Sequence, residues 1–96
     1  RMVFGLSTPQ ILELAGYHME NARKTEDDKL RLVLCENAES DLSRVRKVVN
    51  WAPKYRDNQE LRRKVADAFF KLGDLQLHLG QTEKAEASHK KAKKCG

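Results

Sequence analysis

Residues that mark membrane, secreted or catalytic proteins are scarce in this chain. No apolar run approaches the ~18 residues that a membrane-spanning helix needs. The opening stretch RMVFGLSTPQ lacks the apolar core and small-residue cleavage site of a secretory leader. Two cysteines, Cys35 and Cys95, fit a reduced compartment at least as well as a disulfide framework. An intracellular, cytoplasmic setting is expected. A Gly-rich phosphate loop, H-E-x-x-H and C-x-x-C are all missing. His18, His78 and His89 are scattered, with no i, i+4 pairing, and read as surface or packing residues. Glu13 and Glu20 stand seven apart, as is common on a solvated helix face. Cys35 reads as a buried, inert thiol on an apolar helix edge, and Cys95 as an exposed one near the end. No enzymatic activity, metal or cofactor is expected.

With only two prolines and five glycines, and with Leu, Ala, Glu and Lys plentiful, the composition favours helix over sheet. Charged residues at 34% and apolar ones at 40% describe a soluble, globular chain with one modest core. In STPQILELAGYHMENARK, Thr8 is the expected N-cap, with Pro9 at the first helical position. Ile11, Leu12, Ala15, Met19 and Ala22 follow on one face. Thr25 offers a second cap ahead of Glu26, Asp27 and Asp28, which suit the positive end of a helix dipole. The second helix is long, with Leu30, Val33, Leu34, Ala38, Leu42, Val45 and Val49 in period. It should stop by Ala52, ahead of Pro53. Trp51 is expected to anchor the connector over the core. Asp57 or Asn58 can cap a third helix, whose stripe Leu61, Val65, Ala68, Phe69, Leu72, Leu75, Leu79 is flanked by Ala66, Phe70, Gly73, Leu77. An apolar surface that wide predicts burial on two sides. A fourth helix, from about Thr82 to Lys94, has the weak face Ala85, Ser88 or His89, Ala92, Cys95.

The glycines organise these helices. Gly80 follows the last periodic residue and precedes the cap Thr82, the place for a left-handed C′ residue in a helix–turn–helix. Gly73 sits mid-helix, where glycine costs about 1 kcal/mol relative to alanine, so a neighbour is expected to pack against its bare backbone. Ala85 and Ala92 are the expected neighbours. Gly16 precedes Gly73 by 57 residues, and Thr25 precedes Thr82 by the same 57, the signature of an internal repeat.

From Ala66 to Gly96 the pattern Phe69-xx-Leu72-Gly73-x6-Gly80-x4-Ala85-x6-Ala92 resembles the tetratricopeptide repeat. Departures are Gln76 and His89 where that family has bulky aromatics, Ala15-Gly16 in place of Leu-Gly, Asp28 in place of alanine, and an overlong second helix. The segments LCENAESDLSRVRKVV and GQTEKAEASHKKAKKCG are also similar to helical accessory segments of fungal multidomain proteins carrying NACHT-type and WD-repeat modules. The resemblance implies an all-α domain of four helices. They would form two stacked antiparallel αα-hairpins with an elongated second helix, excerpted from a longer chain. Residues 1–7 would be an N-terminal extension, 8–52 the first hairpin, 53–57 a connector and 58–96 the second hairpin.

In such repeats the first helices line a concave face. Carried over residue by residue, the family's groove positions are Gln10, Glu13, Tyr17 and Glu20, then Asp67, Phe70, Asp74 and Leu77. The implied role is non-catalytic protein–protein interaction or scaffolding, through an acidic, aromatic groove suited to a basic amphipathic segment. Phe70 and Leu77 equally suit a core between the first and third helices. The family's clamp for a C-terminal carboxylate is missing, since Glu13, Tyr17, Phe70 and Asp74 occupy its positions. Two hairpins leave an uncovered flank, so self-association is a further expectation unless the long second helix covers it. A different reading comes from charge. Residues 1–48 hold eight basic and eight acidic side chains, and 49–96 hold eleven and six. Lys84, Lys90, Lys91, Lys93 and Lys94, aided by Lys71, would then bind nucleic acid or another polyanion.

Overall fold

A computed structural model describes residues 6–95. It leaves residues 1–5 of the expected extension, and Gly96, outside the described residues. Five helices follow in order: α1 (Thr8–Lys24), α2 (Asp28–Trp51), α3 (Pro53–Arg56), α4 (Gln59–His78) and α5 (Thr82–Cys95). No strand occurs among the described residues. The additional helix is α3, a four-residue turn started by Pro53 at its first position, within the expected connector.

The starts of α1, α2 and α4 are fixed by side chains, whereas α3 has no side-chain cap. Thr82, expected as a cap, is instead the first residue of α5, behind Gln81. Ser7, not Thr8, caps α1, because only Ser7 has a glutamine three residues on. Ser7 N donates to Gln10 Oε1 at 2.9 Å and Gln10 N donates to Ser7 Oγ at 3.3 Å, a reciprocal capping box. Asp27, not Thr25, caps α2, its carboxylate accepting from Lys29 N and Leu30 N. Thr25 instead closes α1 and accepts the Asp27 N–H on its hydroxyl. Asn58 Oδ1 caps α4 through Leu61 N at 3.0 Å.

Helix ends are closed by a device used twice. Arg31, four residues past the α2 cap, donates from Nε to the Ala22 carbonyl at 2.9 Å and from Nη2 to the Thr25 carbonyl. Arg62, four residues past the α4 cap, donates to the Val49 carbonyl at 3.5 Å and to Asn50 Oδ1 at 3.2 Å. Ala22 and Val49 are the third-from-last helical residues of α1 and α2, whose carbonyls have no partner within their own helix. A cation at that end also suits the dipole. At the end of α4, Gly80 takes φ 78°. Gln81 N then donates to the Gln76 carbonyl and Gly80 N to the Leu77 carbonyl, the Schellman pair that a left-handed glycine permits.

The largest helix contacts join α1 to α2 and α4 to α5, and α4 also packs against both α1 and α2. Phe69, Leu72 and Val65 of α4 are fully buried at the centre. Burial of each is worth roughly 1.5–3 kcal/mol. The α2 contribution is the narrow stripe Cys35, Ala38, Leu42, Val45, Val49. Leu30 and Val33 do not join it and are about half exposed. Trp51 is 79% exposed rather than an anchor. It lies two residues beyond Val49, a rotation of roughly 200° that carries it to the opposite side of the helix. Tyr55 of α3 packs against the core in its place. Cys95 is buried rather than exposed, because it continues the α5 stripe Ala85, Ser88, Ala92. Both cysteines are free thiols.

Candidate functional site

Between α1 and α4 runs a cleft of about 760 Å³. Its α1 wall comes from residues spaced three and four apart: Pro9, Leu12 and Glu13, Gly16, Met19 and Glu20, Arg23. The α4 wall repeats that spacing with Leu61, Lys64, Asp67 and Ala68, Lys71, Asp74 and Leu75, His78. Such spacing keeps each wall on one helix face over four turns. Leu12, Met19, Leu61, Ala68 and Leu75 give an apolar floor, and charged side chains form the rim. Gly16 helps to keep the cleft open, since a Cβ built there would meet no atom within 4 Å.

Of the groove residues expected from the sequence, Gln10, Glu13, Glu20, Asp67 and Asp74 line this cleft. Tyr17, Phe70 and Leu77 do not, and each is at least half exposed elsewhere. Phe70 and Leu77 therefore belong neither to the cleft nor to the buried core. The rim is also of mixed charge rather than acidic. Sequence reasoning missed Arg23, Lys64, Lys71 and His78, although the spacing 61, 64, 68, 71, 75, 78 was there to be read. Lys71 Nζ stands 3.2 Å from Asp67, and Arg23 Nη2 stands 2.6 Å from Glu20. The Arg23 hydrogen bond holds the Glu20 carboxyl below its usual range, with Lys24 adding to the effect. Glu13 and Asp74 have no Lys or Arg partner among the described residues.

Phe70 turns toward α5, where its ring lies 4.9 Å from that of His89. The His89 ring occupies the notch over Gly73, where a Cβ would overlap its Cδ2 and Nε2 atoms. The side chain that the mid-helix glycine admits is thus His89, not Ala85 or Ala92. His89 Nε2 lies 3.3 Å from Asp74 Oδ1, at an angle that makes no hydrogen bond. Beside it Ser88 Oγ donates to Gln76 Oε1 at 2.6 Å, both residues buried. A polar pair thereby replaces apolar packing between α4 and α5.

The lysines of α5 fan over about half of the helix circumference, from Lys93 through Lys90 and Lys94 to Lys91 and Lys84, by the helical period. The Lys91 ammonium rests 5.8 Å from the Phe69 ring centroid. Among the described residues no three His, Cys, Asp or Glu side chains are placed to hold a metal ion, and no helix is long and apolar enough to cross a membrane. Comparison with protein-family models, curated proteins and solved structures found no match.

Proposed function

We propose that this domain is a non-catalytic protein–protein interaction module of two stacked αα-hairpins, similar to tetratricopeptide repeats, and that it receives a peptide segment in the α1–α4 cleft. The observation carrying this reading is the cleft itself: an apolar floor several turns long with charged walls. That is the form of a groove for an amphipathic helix or extended segment. Support for the stacked arrangement comes from the order of helix contacts, α1 with α2, α4 with α5, and α4 against both earlier helices. The short turns at Thr25–Asp27 and Leu79–Gln81 and the 57-residue offset of the glycines agree with it.

Such a partner has an apolar stripe for Leu12, Met19 and Leu75 and a basic residue for Glu13 or Asp74, the two rim carboxylates without a Lys or Arg of their own. Peptide selection against the whole chain tests the reading. Selected peptides should be amphipathic and basic. Gly16→Phe, which fills the cleft from an open position, should abolish their binding while helicity is unchanged. Glu13→Lys should weaken it about 5- to 10-fold, as loss of an interface charge pair does. Peptides that bind Gly16→Phe as well as wild type would rule the cleft out.

A further inference from the structure

Where the positive charge sits differs from what the two halves of the sequence suggest. Residues 44–64 contain eight Lys or Arg and two acids, a net of +6, while the whole chain carries +5. Everything outside that segment therefore sums to −1. The lysines of α5 are offset by carboxylates elsewhere, and the uncompensated charge lies at the junction of α2, α3 and α4. Only Lys64 among those eight has an acidic partner among the described residues, at 3.9 Å from Glu60. Helix-dipole stabilisation does not account for the α2 members, because no basic residue stands in the last turn of α2 and the dipole effect fades within that turn.

The chain's one tryptophan is at the centre of this charge. Trp51 shares the outer face of α2 with Arg44 and Lys47, at spacings of three and four. Arg46, Lys47, Val48, Asn50 and Trp51 line a shallow hollow of about 430 Å³. Arg46 Nε is buried there with no hydrogen-bond acceptor. Arg44, Lys47 and Trp51 span roughly 10 Å along the helix.

We infer that this corner binds single-stranded nucleic acid, with one base stacked on the Trp51 indole and the adjoining phosphates on Arg44, Arg46, Lys47 and Lys54. An exposed aromatic flanked by cations is the minimal platform for an unstacked strand. A duplex offers its phosphates but no free base face. An anionic membrane is the weaker fit. Residues 26–41, at the other end of α2, hold six acids against two bases, so a flat anionic surface lying along α2 would be repelled there. A strand can confine itself to the basic corner.

Trp51 is itself the reporter. Titrating the 96-residue chain with a short oligouridylate at low salt should quench its fluorescence. With about four cations engaged, log K should fall against log salt with a slope near −3. Anisotropy of labelled oligouridylate should show Trp51→Ala binding about 5- to 150-fold more weakly, Trp51→Phe recovering most of that loss, and Lys47→Gln lowering the slope by about 0.7. Trp51 is 79% exposed, so these variants keep the fold, with helicity as the control. The proposal is overturned if no binding occurs at low salt, if Trp51→Ala binds as wild type does, or if a duplex binds as tightly as the single strand. It is equally overturned if anionic vesicles shift the emission to the blue while the oligonucleotide leaves it unchanged.

Discussion

Alanine at position 16 and alanine at position 73 should have different consequences, although both glycines sit inside helices. Removing a mid-helix glycine gains about 1 kcal/mol of helix propensity. At Gly16 nothing opposes that gain, because a Cβ meets no atom within 4 Å. Gly16→Ala is therefore expected to stabilise by about 0.5–1 kcal/mol, or several degrees in Tm for a domain of this size. At Gly73 the added methyl displaces the His89 ring. Moving the ring forfeits its contact with Phe70, worth about 0.5–1.5 kcal/mol, and forces an off-rotamer or more solvated His89 at about 0.5–1.5 kcal/mol. Those losses match or exceed the propensity gain, so Gly73→Ala should be neutral or destabilising by up to about 2 kcal/mol. In a His89→Ala background the obstacle is gone and Gly73→Ala should recover about 1 kcal/mol. Urea unfolding followed by far-ultraviolet circular dichroism reads all four corners of the cycle. The coupling between positions 73 and 89 should be at least ~1 kcal/mol, within the range for residues in contact. Equal stabilisation by Gly73→Ala with and without His89 would refute the notch.

Arg31→Met should destabilise by about 2 kcal/mol and Arg62→Met by about 1, because Arg31 donates to two α1 carbonyls and Arg62 to one α2 carbonyl at longer range; urea midpoints order the two. Burial raises the Cys35 thiol pKa, so the folded protein keeps a proton that the unfolded thiol loses. That stability is complete below the unfolded value of about 8.5 and drains as pH rises through the folded value. Stability of wild type should therefore fall more than that of Cys35→Ala as pH is raised above about 9. Neither thiol should react rapidly with a bulky disulfide reagent, and Cys95, in the last turn of α5, should react first as that end frays. Ser88→Ala should cost about 1–3 kcal/mol by leaving Gln76 buried without its donor, while Ser88→Ala with Gln76→Leu should recover most of the loss.

Helical periodicity made most of this architecture readable, and its failures have physical causes. Gly80 was legible because only a left-handed residue fits between Leu79 and Gln81. The caps were misplaced by one or two residues because Ser7, Thr8, Thr25 and Asp27 are all competent, and a partner three residues on or a free first turn decides among them. Trp51 was misplaced because size alone argued for burial, whereas its angular offset from Val49 argued against it. At the cleft, five of the eight groove positions carried over from the repeat pattern line the walls. Phe70 and Leu77 were lost to the cleft because each lies roughly 140–200° around α4 from the floor residues Leu61, Ala68 and Leu75, and His89 meets Phe70 on that other side. The Lys and Arg members of the rim were passed over because charged residues on a helix look alike until the facing helix is known.

The length of α2 links these observations. At 24 residues against 17 for α1, it is roughly 36 Å long against 26 Å. The surplus is about two turns. Its inner side is not idle, since Val45 and Val49 are buried and Arg62 of α4 closes its last turn. The extension thus gains packing against α4 that α1 is too short to supply. Its outer side has no such constraint, and there the chain places Arg44, Lys47 and Trp51. Truncating only the inner side separates packing from binding. Val45→Ala with Val49→Ala removes two buried side chains from the core and should cost a few kcal/mol. Exchanging Arg44, Lys47 and Trp51 for Gln, Gln and Ala should leave the unfolding midpoint within about 0.5 kcal/mol, as surface changes usually do. If the triple exchange unfolds the domain, the outer face of α2 is part of the core and the corner has no free surface to offer.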